Sequence, residues 1–181
     1  EFFAASVHSH CASPRAHVPS VILRELFGIR LHRRTSKPVH HLGLCPLDDA
    51  DKYERVGVTR TVGSKLRARF KSASAVEVFR AHKFGVVFEN GRVDSYVTEK
   101  IVNAYLGHAV PVYFGPVPDA ALWRVLNPRA AVFCDLPSNI TAVVEALHEQ
   151  ARGDFAVFRA AVDATAGPFL DACAYVVRRL D

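Results

Sequence analysis

The sequence predicts an α/β fold in which a parallel β-sheet is covered by helices on both faces. Strand-like and helix-like segments alternate along the 181 residues. The strand-like segments are almost entirely apolar, which is typical of parallel strands that are buried on both sides. Half of the residues are hydrophobic, which is enough for the core of one ordinary domain. We therefore predict a single domain over residues 1–181, in which residues 154–181 form a helical extension.

The first half of the chain is predicted to hold two strands and one helix. An apolar run predicts a strand at Phe2–Val7. Helical spacing of apolar residues follows at 15–27, and Pro19 suits the first turn of that helix. The basic run 30–37 is interpreted as a solvated loop, and residues 39–44 as a second strand.

The second half predicts further strands and helices in alternation. Strands are expected at 83–88, 110–114 and 131–133, and helices at 96–106, 119–126 and 139–150. Gly107 marks a helix end and Asn139 a helix start. Residues 154–180 predict two amphipathic helices that are interrupted near Gly167 and Pro168, because proline disrupts a helix interior.

The charge and the two ends of the chain restrict its function only weakly. The formal net charge is +5, which suits an anionic partner but equally a solvated surface with slightly more arginine than acid. No apolar run reaches the roughly 18 residues of a membrane-spanning helix. The chain begins with Glu1 and contains no methionine, so we expect it to be part of a longer protein.

Cysteines and histidines give no metal-binding pattern. The cysteines show no C-x-x-C spacing, so a zinc site is not expected. Their even number leaves disulfides open, and the pairing is undecided between Cys11, Cys45, Cys134 and Cys173. Cys134 lies in an apolar run and is interpreted as a small core residue. The nine histidines, such as the adjacent His40 and His41, are interpreted as surface or loop residues.

The segment that follows the predicted strand 83–88 is the first candidate site, because ligands of parallel α/β folds bind beyond the carboxyl ends of strands. It is polar, it contains Gly91, and Asp94 or Ser95 can cap the helix that follows. The start of a helix offers free N–H groups and a positive dipole end, which favour phosphate.

Helical spacing groups the side chains of this segment into two faces. The apolar face would pack on the sheet through Val97, Ile101, Ala104 and Tyr105. The polar face combines an aromatic ring, a carboxylate and an ammonium from Tyr96, Glu99, Lys100 and Asn103. A nucleotide-sugar needs a cation for its diphosphate and a carboxylate for its ribose. The same spacing also fits an exposed helix face with an internal ion pair.

The stretch KFGVVFENGRVDSYVTEKIVNAYLGHAVPVYFGP, residues 83–116, resembles the alpha-1,3-fucosyltransferases. The matching residue types are Phe-Glu-Asn at 88–90, Tyr-Val-Thr-Glu-Lys-Ile at 96–101, Val-Pro-Val at 110–112, Gly115 and the Asn-Pro stretch 127–133. Weaker matches upstream are Ser-Pro-Arg at 13–15 and residues 41–45. Gly91 and Ser95 depart from the family pattern. The resemblance spans about residues 2–150.

The resemblance implies two Rossmann-like domains that face each other across a cleft, as in GT-B glycosyltransferases, and this chain resembles the C-terminal one, which binds GDP-fucose. It carries over six donor-binding residues: Arg15, Glu89, Asn90, Tyr96, Glu99 and Lys100. Arg15 and Lys100 would hold the diphosphate and Glu99 the ribose. Asn90 and Tyr96 would line the donor pocket.

The resemblance also implies the reaction, which is fucose transfer to a sugar hydroxyl with inversion. No obligatory metal or other cofactor is expected, because fixed cations can neutralise the leaving diphosphate. The general base would come from an N-terminal acceptor domain that is absent from this chain, so we expect no catalytic residue here. The expected partners are GDP-fucose, a glycan acceptor and that domain, without nucleic acid. A eukaryotic member would lie on the lumenal side of the Golgi membrane.

Two other functions stay open at this level. The chain could be a catalytically inactive nucleotide-sugar-binding module of a larger scaffold protein. An acceptor domain without the acidic residue that serves as general base would indicate this function. The basic stretch 48–74 also suggests a nucleic-acid-binding domain, although no recognised motif supports it.

Overall fold

The computed structural model of the protein describes residues 2–7, 19–35, 37, 39–42, 73–91, 96–116, 127–136, 140–151 and 154–180. Within these residues five strands form one sheet, in which every pair of neighbours is parallel. The strands are β1 (Phe2–Val7), β2 (Val39–Leu42), β3 (His82–Phe88), β4 (Val110–Phe114) and β5 (Val132–Phe133). Their order in the sheet is β2-β1-β3-β4-β5.

The strand order reverses between β1 and β3. From β1 the chain first forms β2 on one side and then places β3 on the other side, with Ser6 aligned to Val86. Parallel sheets of this kind bind ligands at such a reversal, in the crevice beyond the carboxyl ends of the strands. The carboxyl ends of β1 and β3 therefore border the expected ligand position.

Helices cover both faces of the sheet and bury two separate hydrophobic clusters. The described helices are α1 (Pro19–Thr35), α2 (Ala75–Arg80), α3 (Glu99–Leu106), α4 (Ile140–Gln150) and α5 (Phe155–Arg179), with a 3₁₀ turn at Pro128–Ala130. One face packs against α1, α4 and α5 around Phe27, Phe88 and Phe114. The other packs against α2 and α3 around Phe79 and Tyr113. The predicted fold class, a parallel sheet between two helical layers, is confirmed.

Most predicted element boundaries agree with the structure. Predicted strands 2–7 and 110–114 are confirmed at both ends, and the first helix begins at Pro19. The helix α3 ends before Gly107, as predicted. The predicted helix 119–126 and the cap Asn139 lie outside the described residues.

The interpretation of 30–37 as a solvated loop is wrong, because α1 continues to Thr35. Arg30 lies half-buried against α5, where Nη2 donates to Asp163 Oδ1 at 2.9 Å and Nη1 donates to Asp171 Oδ2 at 2.8 Å. These carboxylates compensate the arginine's charge where α1 meets α5. They lie more than 130 residues away in the sequence, so no local pattern could indicate them.

The predicted interruption near Gly167 and Pro168 is also wrong, because α5 is one helix of 25 residues that contains Pro168. Proline lacks the N–H of a helical hydrogen bond and crowds the preceding turn. At this turn the guanidinium of Arg30 packs where a side chain on residue 167 would stand, and Nη2 also donates to the carbonyl of Asp163 at 3.3 Å. Arg30 of α1 thus packs against the same turn of α5.

Replacing Arg30 with methionine is expected to lower the free energy of unfolding by about 2 kcal/mol, because it removes hydrogen bonds to two partly buried carboxylates. Arg34→Met is the matched control. Arg34 also reaches Asp171, at 3.2 Å, but 48% of its side chain is exposed, so its loss should cost clearly less stability than the loss of Arg30. Urea denaturation of both variants measures the difference. Equal losses would contradict the role of Arg30 at this contact.

Cys134 forms a disulfide with Cys173 on α5, in the core beside α1 and α4. Its interpretation as a core residue holds, since its exposed fraction is 5%, but the interpretation missed the bond. The disulfide ties the segment after β5 to the C-terminal helix. Cys11 and Cys45 lie outside the described residues.

The interpretation of His40 and His41 as surface or loop residues is wrong, because both are buried in β2. Nδ1 of His82 lies 2.7 Å from the carbonyl of Val78, so that nitrogen is the donor. Nε2 of His82 must then accept from Nδ1 of His40, at 2.8 Å. Burial, with the nearby charge of Arg24, lowers the pKa of His41 to about 4. Burial lowers the pKa of His40 as well, so His40 and His41 are neutral parts of the core at pH 7.

Candidate functional site

The corner between β3 and α3 places a carboxylate at the reversal of strand order. Glu89 follows β3 directly, and its N–H donates to the carbonyl of Phe114 at 2.8 Å. Since side chains alternate along a strand, Glu89 points to the face opposite Phe88, which is the face covered by α3. The residue has an exposed fraction of 0%.

The buried carboxylate of Glu89 accepts three hydrogen bonds from two residues. Oε1 accepts from the N–H of Thr98 at 2.9 Å. Oε2 accepts from the hydroxyl of Thr98 at 2.7 Å and from Nζ of Lys100 at 2.9 Å. A buried charge is tolerated only when it is paired and hydrogen-bonded, and these contacts meet that requirement.

Thr98 is the residue that caps α3. Its backbone is extended and its hydroxyl accepts from the N–H of Lys100 at 3.5 Å. The predicted helix start at 96 is therefore wrong, and so is the predicted cap at Asp94 or Ser95, two residues that lie outside the described ranges. The cap fixes the position of the first turn of α3, because its hydroxyl also bonds to Glu89.

Lys100 presents a cation at the N-terminal end of α3. Nζ donates to Glu89 at 2.9 Å and to the hydroxyl of Thr98 at 2.9 Å. An ammonium has three N–H groups, and the described part of the chain occupies two of them. The side chain is 22% exposed, so a ligand can reach part of it. A held ammonium beside the free N–H groups of a helix start can bind an anion such as a phosphate.

The other predicted site residues lie around this corner. Asn90 is partly exposed directly after Glu89, and Glu99 is exposed as the first residue of α3. Tyr96 is 40% exposed and precedes the helix cap, so the prediction that it shares a helix face with Lys100 is wrong. Arg15 lies outside the described residues.

Sequence reasoning missed Thr98 and Tyr113. A threonine that precedes an acidic residue is a common helix-start signal, which would have identified Thr98. Tyr113 on β4 is 1% exposed, and its hydroxyl lies against Gly115, which has no side chain to displace it. Burial raises the pKa of Tyr113, and so does the nearby charge of Glu89. No local signal joins Tyr113 to a carboxylate that lies 24 positions earlier.

Two other kinds of site, a metal centre and a membrane span, are absent from the described part of the chain. Over the described ranges, no three His, Cys, Asp or Glu side chains come together in a way that would hold a metal ion. In the same part of the chain, no helix combines the length and the apolar character that crossing a membrane requires.

Two curated relatives match short parts of the chain. An alpha-(1,3)-fucosyltransferase of Helicobacter pylori is 41% identical over 56 residues, which is 31% of this chain and 11% of the relative. A putative fucosyltransferase of Acanthamoeba polyphaga mimivirus is 27% identical over 71 residues, which is 39% of this chain and 11% of the relative. The matches therefore span about a tenth of the length of these relatives.

Crystal structures of an alpha1,3-fucosyltransferase, alone, with GDP-fucose and with GDP, are also similar. Each is 24% identical, and the match covers 87% of this chain. The TM-scores are 0.49, 0.49 and 0.48, and the match covers 36%, 38% and 38% of the three solved chains.

A match to a family model identifies the family of the chain. The model of the C-terminal part of glycosyltransferase family 10 (fucosyltransferase) matches residues 48–155, which is more than half of the chain. This range contains β3, α3 and the complete Glu89–Thr98–Lys100 cluster, and it confirms the resemblance noted in the sequence. The chain belongs to glycosyltransferase family 10, the fucosyltransferases, and carries the C-terminal part of that family.

Proposed function

We propose that this chain is the donor-binding domain of an enzyme that transfers fucose from GDP-fucose to a sugar hydroxyl with inversion. The observation that carries the proposal is the ammonium of Lys100, which is held yet accessible at the start of α3. It stands beyond the carboxyl end of β3, where parallel sheets bind nucleotides. Membership of the fucosyltransferase family supports fucose as the transferred sugar.

The chemistry of the proposed reaction requires positive charge at the diphosphate. As the bond between fucose and phosphate breaks, negative charge grows on the leaving GDP, and fixed donors must stabilise it. Lys100 and the N–H groups of α3 supply such donors without a divalent ion. Arg15 belongs to the segment that follows β1, the strand beside β3, and we assign it to the same diphosphate.

The remaining donor contacts are assigned to residues whose side chains solvent can reach. Glu99 is exposed at the first position of α3, where its carboxylate can accept hydrogen bonds from the ribose hydroxyls. Tyr96 and Asn90 flank the corner on either side and offer a ring face and an amide to the rest of the donor.

Fucose transfer itself needs groups beyond those assigned here. Inversion requires a base on the face of the sugar opposite the diphosphate, where it deprotonates the acceptor hydroxyl. We assign that base and the glycan contacts to an N-terminal acceptor domain of the same protein. The Cys134–Cys173 disulfide favours an oxidising compartment, which for a eukaryotic protein fits the Golgi lumen.

Calorimetric titration with GDP-fucose, GDP and ADP tests the donor assignment. We expect saturable binding of GDP-fucose and GDP, with at least tenfold weaker binding of ADP, because a guanine-specific site leaves polar groups unpaired against adenine. Equal binding of ADP and GDP would contradict a dedicated GDP-fucose site. No binding of any nucleotide by a sample that melts cooperatively would reject the donor-domain proposal.

A further inference from the structure

We propose that Glu89 is a positioning residue, whose carboxylate fixes the ammonium of Lys100 for the diphosphate without contacting the donor. This inference rests on the proposed function and extends it by one residue. The family resemblance implied that Glu89 is a donor-binding residue. Because Glu89 is buried, it cannot contact the donor directly, as the more exposed Asn90 and Glu99 can.

The difference in exposure separates the two partners of this ion pair. Glu89 has an exposed fraction of 0%, whereas 22% of the Lys100 side chain is exposed. A ligand can therefore contact the side chain of Lys100 but not the carboxylate of Glu89. The carboxylate acts on a bound diphosphate only through Lys100 or through the start of α3.

Two acceptors on different elements hold the ammonium at one point. One is Oε2 of Glu89 at the end of β3, and the other is the hydroxyl of Thr98 at the cap of α3, each 2.9 Å from Nζ. A lysine has a flexible four-carbon side chain and loses rotamer freedom when its ammonium is fixed. With Glu89 in place this freedom is lost during folding, so diphosphate binding does not have to order the side chain.

A purely structural role for Glu89 makes a different prediction. The carboxylate also accepts from the N–H and hydroxyl of Thr98, so it could serve only to tie α3 to β3. In that case its loss would destabilise the fold but would not distinguish ligands by their number of phosphates. A positioning role predicts that replacing Glu89 weakens binding more for a ligand with more phosphate charge. It also predicts that this weakening occurs only when Lys100 is present.

The test compares GDP with GMP in binding titrations of the purified protein and its Glu89→Gln variant. We expect GDP affinity to fall about tenfold and GMP affinity by less than about threefold, because glutamine removes the charge-assisted bond that holds the ammonium. In a Lys100→Met background the same change at Glu89 should no longer alter GDP affinity, since coupled residues are not additive.

Glu77→Gln is the matched control, because Glu77 also accepts hydrogen bonds at a helix start, from Ser74, and lies outside the site. It should leave both affinities unchanged. If Glu89→Gln does not fold, Thr98→Val replaces it. That variant removes the second acceptor of the ammonium and should lower GDP affinity about threefold.

The outcomes separate the two proposals. If the protein binds GDP and Lys100→Met weakens that binding, but Glu89→Gln leaves GDP affinity unchanged or increases it, the positioning role is overturned and the donor site stands. An equal loss for GDP and GMP also overturns it, in favour of the structural role. If the unaltered protein does not bind GDP, the proposed function fails and this inference fails with it.

Discussion

Replacing Lys100 with alanine is expected to weaken GDP binding by more than about tenfold, because a charge-assisted contact to the diphosphate is lost, and also to lower the free energy of unfolding by about 3 kcal/mol. The second effect arises because Glu89 would stay buried with only the two donors of Thr98, and an unpaired buried charge is costly. Urea denaturation measures this loss, and titration of the folded fraction measures the binding.

The Glu89→Gln/Lys100→Ala double variant is the control for the stability effect. Glutamine removes the charge that alanine leaves unpaired, so the double variant should regain part of the stability lost in Lys100→Ala. If Lys100→Ala were as stable as the unaltered protein, the ammonium would not be compensating a buried carboxylate. The ion pair at 2.9 Å would then have no energetic role.

Removing the Cys134–Cys173 disulfide is expected to lower the free energy of unfolding by about 4 kcal/mol. The two cysteines are 39 positions apart, and the chain-entropy model gives about this value for a loop of that length. Alanine at both positions avoids leaving a buried thiol or hydroxyl. Denaturation midpoints of the double variant and the unaltered protein, each with and without reductant, measure the effect.

The reductant provides the internal comparison for this prediction. Reduction should destabilise the unaltered protein strongly and the Cys134→Ala/Cys173→Ala variant much less. Equal stability of the two proteins under oxidising conditions would contradict a stabilising disulfide. Since α5 packs against α1 through the same core, the loss should appear as one cooperative transition.

The fold class could be predicted from the sequence because its signals are local. The apolar runs at 2–7 and 110–114 have the composition of buried parallel strands, and the structure places β1 and β4 at those residues. Pro19 and Gly107 marked helix ends for equally local reasons.

Predictions failed where a distant contact overrides a local preference. Arg30 lies in the unpredicted continuation of α1, where Asp163 and Asp171 compensate its charge, and the same arginine packs against α5 beside Pro168. The burial of His40 likewise depends on His82, 42 positions away. Such partners come together only in the folded chain.

The sequence indicated where the candidate residues lie in the fold but not how they contact one another, and their role in donor binding stays a prediction. Glu99 and Lys100 were identified at the corner after β3, where the structure has them. The helix start was predicted three residues too early, and this placed Tyr96 on the helix and concealed the cap at Thr98. The burial of Glu89 depends on the packing of α3 over the sheet, which spacing alone does not determine.

Hydrogen–deuterium exchange with and without saturating GDP tests most directly whether this corner holds the diphosphate. We expect slower exchange in the first turn of α3, at Glu99 and Ile101, because phosphate would bond to N–H groups at the start of the helix. GDP that binds saturably but slows exchange only in other parts of the chain would contradict the account.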